Sequence, residues 1–252
     1  MARRTITLRT TRPASTKAAA IRLVATAAAA CGLAGALAAC GGSGSPAGAG
    51  ATTAALHDVP TGTQLVGSLL TSSSLPAGFT EDAGGRTSSG AALSAATPTV
   101  NLTTATCSTI LNTLGQPGFG EASYADDSFA PASALGEFDE ILLEFHGSGA
   151  ATFISQLRTA LGHCGSFDAS DVTGGVEAAK LTLDTPPALG TSALSFSVWV
   201  KIGTAQMVLT DVAVQRGTAI VFVDNSTLAS SPDAVNLTTL AGTLLGRLPG
   251  TP

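Results

Sequence analysis

The chain has 252 residues, with 12 Lys and Arg against 17 Asp and Glu. Six of the basic residues fall within the first 22 positions, so the rest carries six cations against seventeen acids, a formal charge of −11. Such a surface repels nucleic acid phosphates and offers no basic face to anionic lipid, so nucleic-acid binding is disfavoured.

Arg3, Arg4, Arg9, Arg12, Lys17 and Arg22 precede a run from Leu23 to Ala39 that is mostly Ala and Gly and has no ionisable group except the Cys31 thiol. The pattern is that of a secretion signal, and at about 17 residues the run is at the short limit for a spanning helix. It closes on Leu37-Ala38-Ala39-Cys40-Gly41, which resembles the lipobox of bacterial lipoproteins, in which the thiol after the cleaved bond receives diacylglycerol. Cys31 is the weaker alternative, since Ala29-Ala30 lacks the leucine three residues before the thiol. Arg3-Arg4 is followed by Thr5-Ile6-Thr7, a poor match to twin-arginine export, so Sec export is expected. The expected organisation is a signal over 1–39, a Gly/Ala/Ser tether over 40–56 and one domain over 57–252. The tether has a root-mean-square reach of about 20 Å.

Thr61-Gly62-Thr63-Gln64 reads as a capping box ahead of Leu65, Val66, Leu69 and Leu70, so the first element is a short helix broken by Leu75-Pro76. The stretch 84–96 has little pattern and reads as a mobile loop. A second helix begins near Thr103 or Thr104 with Cys107, Ile110, Leu111 and Leu114 on one stripe. Strands are expected over about 121–129 and 138–145, then a third helix over 150–161 capped by Ser148, whose Phe153, Leu157, Leu161 and Cys164 share a face. A weak strand over 177–183 precedes the clearest β pattern, where Leu194, Phe196, Val198, Val200 and Ile202 alternate with Ser195, Ser197, Trp199 and Lys201. Runs over 206–215 and 218–224 complete an antiparallel meander. A helix with Leu237, Leu240, Leu244, Leu245 and Leu248 on its stripe closes the chain, capped by Ser231-Pro232-Asp233. The fold class expected is α+β, an antiparallel sheet covered by helices.

Cys31 leaves with the signal and Cys40 takes lipid, so Cys107 and Cys164 remain in an oxidising compartment and should pair as the single disulfide, stapling the second and third helices. A reactive thiol beside His163 is the alternative.

From about Leu65 to Leu248 the chain resembles the PknH-like extracellular sensor domain of actinobacterial surface lipoproteins and some receptor Ser/Thr kinases. The resemblance lies in Leu69-Leu70-Thr71 with Leu75-Pro76-Ala77-Gly78-Phe79, the helices bearing Cys107 and Cys164, Pro187-Ala188-Leu189-Gly190 before a long strand, and the paired strands ending in a Leu-rich helix. It implies a helix-covered antiparallel sheet with a groove for an unidentified ligand. The kinase version is held by two disulfides, whereas one can form here.

No Gly-x-Ser-x-Gly elbow, HExxH, Cys-x-x-Cys or Gly-Lys-Ser/Thr loop occurs, and His57, His146 and His163 stand apart, so no catalytic, metal or cofactor residue is assigned. Asp126, Asp127, Glu137, Asp139, Glu140 and Glu144 lack the spacing of a calcium loop and read as a solvated hairpin face. Trp199, on the mixed face beside Lys201, is the candidate ligand-binding residue. The function expected is a non-enzymatic, lipid-anchored extracytoplasmic binding or sensor domain for a small hydrophobic or envelope-derived ligand. The alternative is an accessory envelope lipoprotein that contacts a membrane protein and binds no small molecule.

Overall fold

The computed structural model describes residues 59–93, 98–132, 136–170, 176–202, 204–230 and 235–250. The signal, Cys40, the tether and His57 lie outside these residues.

Helix α1 (Gly62–Val66) starts with the expected reciprocal cap: Gln64 N–H donates to Thr61 Oγ1 and Thr61 N–H to Gln64 Oε1 at 2.8 Å. A 3-10 turn at Ser72–Ser74 leads to β1 (Phe79–Glu81) and β2 (Thr87–Ser88). Part of the stretch expected to be a mobile loop is therefore ordered by pairing: Thr87 lies opposite Asp126 and Ser88 opposite Ala125. After α2 (Cys107–Thr113) come β3 (Ser123–Pro131), β4 (Gly136–Glu144), α3 (Gly149–Leu161), β5 (Ser166–Ser170), β6 (Val176–Asp184), β7 (Ser192–Ile202), β8 (Ala205–Arg216), β9 (Ala219–Leu228) and α4 (Leu237–Arg247). The expected α+β class holds.

The cap expected at Ser231-Pro232-Asp233 lies outside the described residues, and the Asn236 side chain caps α4 by accepting from Thr239 N–H at 3.0 Å. Ser148 precedes α3 without a side-chain cap bond, and its carbonyl accepts from Thr152 instead.

The strands form one antiparallel sheet in the order β1-β3-β4-β9-β8-β7-β6-β5, with β2 also on β3. Strict alternation divides the core between the two faces. On one, Ile141, Leu143, Leu194, Phe196, Val198, Val200 and Phe222 meet Ile110 of α2 and Phe153, Ile154, Leu157 and Leu161 of α3. The disulfide Cys107–Cys164, with Cα atoms 5.6 Å apart, ties the start of α2 to the end of α3 on this face. On the other, Phe138, Leu142, Val212, Val214, Val221 and Val223 meet Leu65 of α1 and Leu237, Leu240, Leu244 and Leu245 of α4. Each buried leucine on α4 contributes about 2 kcal/mol by removing its side chain from water.

Pro187-Ala188-Leu189-Gly190 delivers the chain into β7 through a turn that only glycine fits. Gly190 has φ +63°, and a Cβ there would lie 2.1 Å from the Gln215 carbonyl oxygen.

Candidate functional site

A helix is about 10 Å across and strands are spaced about 4.8 Å, so one helix covers about two strands. Helix α4 packs on β8 and β9, and α1 on β2 and β3. On their side of the sheet, β5, β6 and β7 therefore lack a helical cover among the described residues, while the opposite face of the same strands is closed by α2 and α3.

Trp199 stands on this open face. The register sets Ser166, Lys180, Trp199 and Val208 in one cross-strand row, with Lys180 and Trp199 directly opposite. The next row outward carries Asp168 opposite Ala178 and Lys201 opposite Gln206. Of these, all but Val208, together with Phe167 and Ala179, line an open groove of about 710 Å³. Trp199 is 36 % exposed, and Lys180, Lys201, Asp168 and Gln206 are exposed beside it. A smaller hollow of about 390 Å³ lies on the same side, between Ser195, Thr210 and Asn225 of the sheet and Asn236 and Thr238 at the start of α4.

The acidic group does not form the solvated face expected of it. Along β3, Asp127 falls in phase with buried Ala125 and Phe129, and along β4, Glu140 and Glu144 fall in phase with buried Phe138 and Leu142. Asp127 accepts from Arg86 Nε at 2.8 Å and from Arg86 Nη2, yet burial outweighs that pairing and moves its carboxyl upward. Glu140 Oε1 accepts from Leu70 N–H at 2.8 Å, and burial pushes its carboxyl up to about 8. Glu144 is fully buried and neither oxygen meets a partner in hydrogen-bonding geometry; burial pushes it up to about 7, outweighing the lowering by the nearby Thr218 side chain.

Asp139 belongs to a different cluster. It lies opposite Asp224, which lies opposite Asp211, so three adjacent strands carry a row of aspartates on the α2 and α3 face. Burial first, and mutual repulsion second, push all three carboxyls well up. Sequence reasoning missed Asp211 and Asp224. The signal was their phase: Asp211 alternates with Leu209 and Ala213, and Asp224 follows Phe222, all on inward positions. Among the described residues, no group of three or more His, Cys, Asp or Glu could hold a metal ion.

Among the described residues no helix is long and apolar enough to cross a membrane. No protein-family model matches the chain, and no curated protein matches it. The fold is similar to the crystal structure of the extracellular domain of PknH from Mycobacterium tuberculosis, with a TM-score of 0.53 and 11% identity, over 75% of this chain and 97% of that one. At that identity the likeness is one of fold.

Proposed function

We propose that this chain is a lipid-anchored binding or sensor protein on the outer face of the cytoplasmic membrane, non-enzymatic, whose ligand lies in the groove over Trp199. The observation that carries the ligand half is an exposed tryptophan in a sheet strand, at the floor of a 710 Å³ groove that no helix of the described residues closes. An indole exposed in a concave site is the kind of surface that ligand recognition uses, because it offers a large flat contact at little entropic cost.

Two further observations support the address. The Leu37-Ala38-Ala39-Cys40 motif sits where a lipobox would, and the fold resembles a domain that is extracellular in PknH. The disulfide Cys107–Cys164 agrees with an oxidising compartment.

The test has two arms. Expressed in an actinobacterial host, the chain should take up radiolabelled palmitate and fractionate with the membrane, while Cys40→Ala should do neither; equal labelling of both refutes the anchor. Native mass spectrometry of the domain released from envelopes should show a bound small molecule that Trp199→Ala loses. A ligand-free mass together with a membrane protein that co-purifies regardless of Trp199 would favour the accessory role.

A further inference from the structure

Six Lys and Arg follow Cys40 in a sequence with seventeen acids. The four arginines are all engaged. Arg86 binds Asp127 and the Leu70 carbonyl, Arg158 donates to the Ala193 carbonyl at 2.9 Å, Arg216 to the Leu245 carbonyl, and Arg247 to the Leu69 carbonyl at 2.8 Å. The two lysines, Lys180 and Lys201, make no hydrogen bond or ion pair with any described residue, and both line the Trp199 groove.

We infer that this groove binds an acidic saccharide, a sugar ring bearing a carboxylate or phosphate; the inference rests on the binding reading above and names its ligand class. Lys180 is the direct cross-strand neighbour of Trp199, with Cβ atoms about 5 Å apart, and Lys201 lies two residues along the same strand face, about 7 Å away. Two ammonium groups thus flank one indole. A ring stacked on Trp199 brings an anionic substituent within reach of both.

The rest of the rim assigns the other side of the ligand. Asp168 lies on β5, the far side of Ala178 from Lys201, and faces the groove as an acceptor that repels anions but takes hydroxyl hydrogens. Ser166 and Gln206 add further hydrogen-bonding groups. The polar, open rim suits a hydroxylated ring better than an acyl chain, which would need a closed apolar cavity. The surrounding acids act against a long polyanion, because only charges within a Debye length of about 8 Å of the lysines escape the wider repulsion. One or two negative charges on a small ring fit that window.

Trp199 is the only tryptophan in the chain, so intrinsic fluorescence reports this groove and no other. The full lipoprotein in neutral detergent is titrated with D-glucuronate, glucose 1-phosphate, glucose, inorganic phosphate, neutral N-phenylnaphthylamine and a single-stranded oligonucleotide. Both acidic sugars should perturb the emission and bind about tenfold more tightly than glucose or phosphate, weakening as salt rises. Exposed ion pairs each change affinity by about two- to fivefold, so Lys180→Gln and Lys201→Gln should each weaken the acidic sugars by that factor relative to glucose, with the double variant losing the preference. Melting curves matching the parent show that the variants fold.

Equal affinity for glucose overturns the charge assignment, and equal affinity for phosphate alone overturns the ring. Preferential binding of the oligonucleotide replaces the proposal with a polyanion surface. If only phenylnaphthylamine responds, a ligand groove survives and the acidic saccharide does not. If no probe moves Trp199 emission, the binding reading falls with it.

Discussion

Glu144 offers a test of the interior that is independent of any ligand. It lies on β4 between Ser123 of β3 and Ala219 of β9, fully buried, with no hydrogen-bonding partner on either oxygen. Burial raises its carboxyl from an ordinary 4.5 to about 7. Because the folded-state value is raised, the folded protein holds the proton more tightly than the unfolded one, and stability falls as pH rises. The loss begins near the unfolded value of 4.5 and is complete above about 7. A shift of about 2.5 units at about 1.36 kcal/mol each amounts to roughly 3 kcal/mol.

Glu144→Met keeps a similar volume and removes the titration. Urea unfolding of parent and variant near pH 4.5 and near pH 8 gives two stability differences, and their difference cancels any packing change common to both pH values. The variant should gain roughly 3 kcal/mol relative to the parent between the two conditions, an upper figure that any solvent entry lowers. Parallel pH dependences of parent and variant would refute the claim that this carboxyl is desolvated.

Three other substitutions probe separate supports. Replacing both Cys107 and Cys164 by Ser should cost about 4 kcal/mol, the chain-entropy value for a loop of 57 positions, and thiol-specific reduction of the parent should reproduce it in urea unfolding. Arg86→Ala leaves Asp127 buried without its cation, and since the arginine is itself 31% exposed the loss should sit at the low end of about 3–5 kcal/mol. Adding Asp127→Asn should recover part of that loss, and a loss that simply adds would show the two are not coupled. Gly190→Ala should cost at least about 2 kcal/mol in thermal unfolding, because the positive φ is strained for alanine and the Gln215 carbonyl must move.

What the sequence made legible is what local pattern encodes. The alternation in Leu194 to Ile202 sorts β7 into two faces without any knowledge of its neighbours, and it puts Trp199 with Ser197 and Lys201 on the correct one. The leucine stripe of α4 and the two cysteines left after the signal are likewise local or compartmental facts. By contrast, the pairing of β4 with β9 joins Gly136 to Thr227 across some ninety residues, and no local signal specifies it. Strand β5 escaped notice because Ser166-Phe167-Asp168-Ala169-Ser170 has one large apolar side chain and no β-branched residue. The acidic hairpin misled for a physical reason. Carboxylates at alternate positions ordinarily mark the solvent face, but here α1 and the chain after it close over Asp127, Glu140 and Glu144, with Glu140 and Arg86 holding the Leu70 backbone from both sides.

The charge imbalance connects the interior to the groove. With six cations for seventeen acids, every arginine is drawn to a carbonyl or to Asp127, and none lies among the charged groups bearing on Asp139, Asp224 and Asp211. Burial and repulsion between facing carboxylates on adjacent strands both favour the protonated form of these three. Their folded-state values are raised in the same direction as those of Glu140 and Glu144, so all five contribute stability that is present below their unfolded values and lost as pH rises. Lys180 and Lys201 stand on the open face beside Trp199, without a hydrogen bond or ion pair to any described residue, and that placement is what the proposed anionic ligand group rests on.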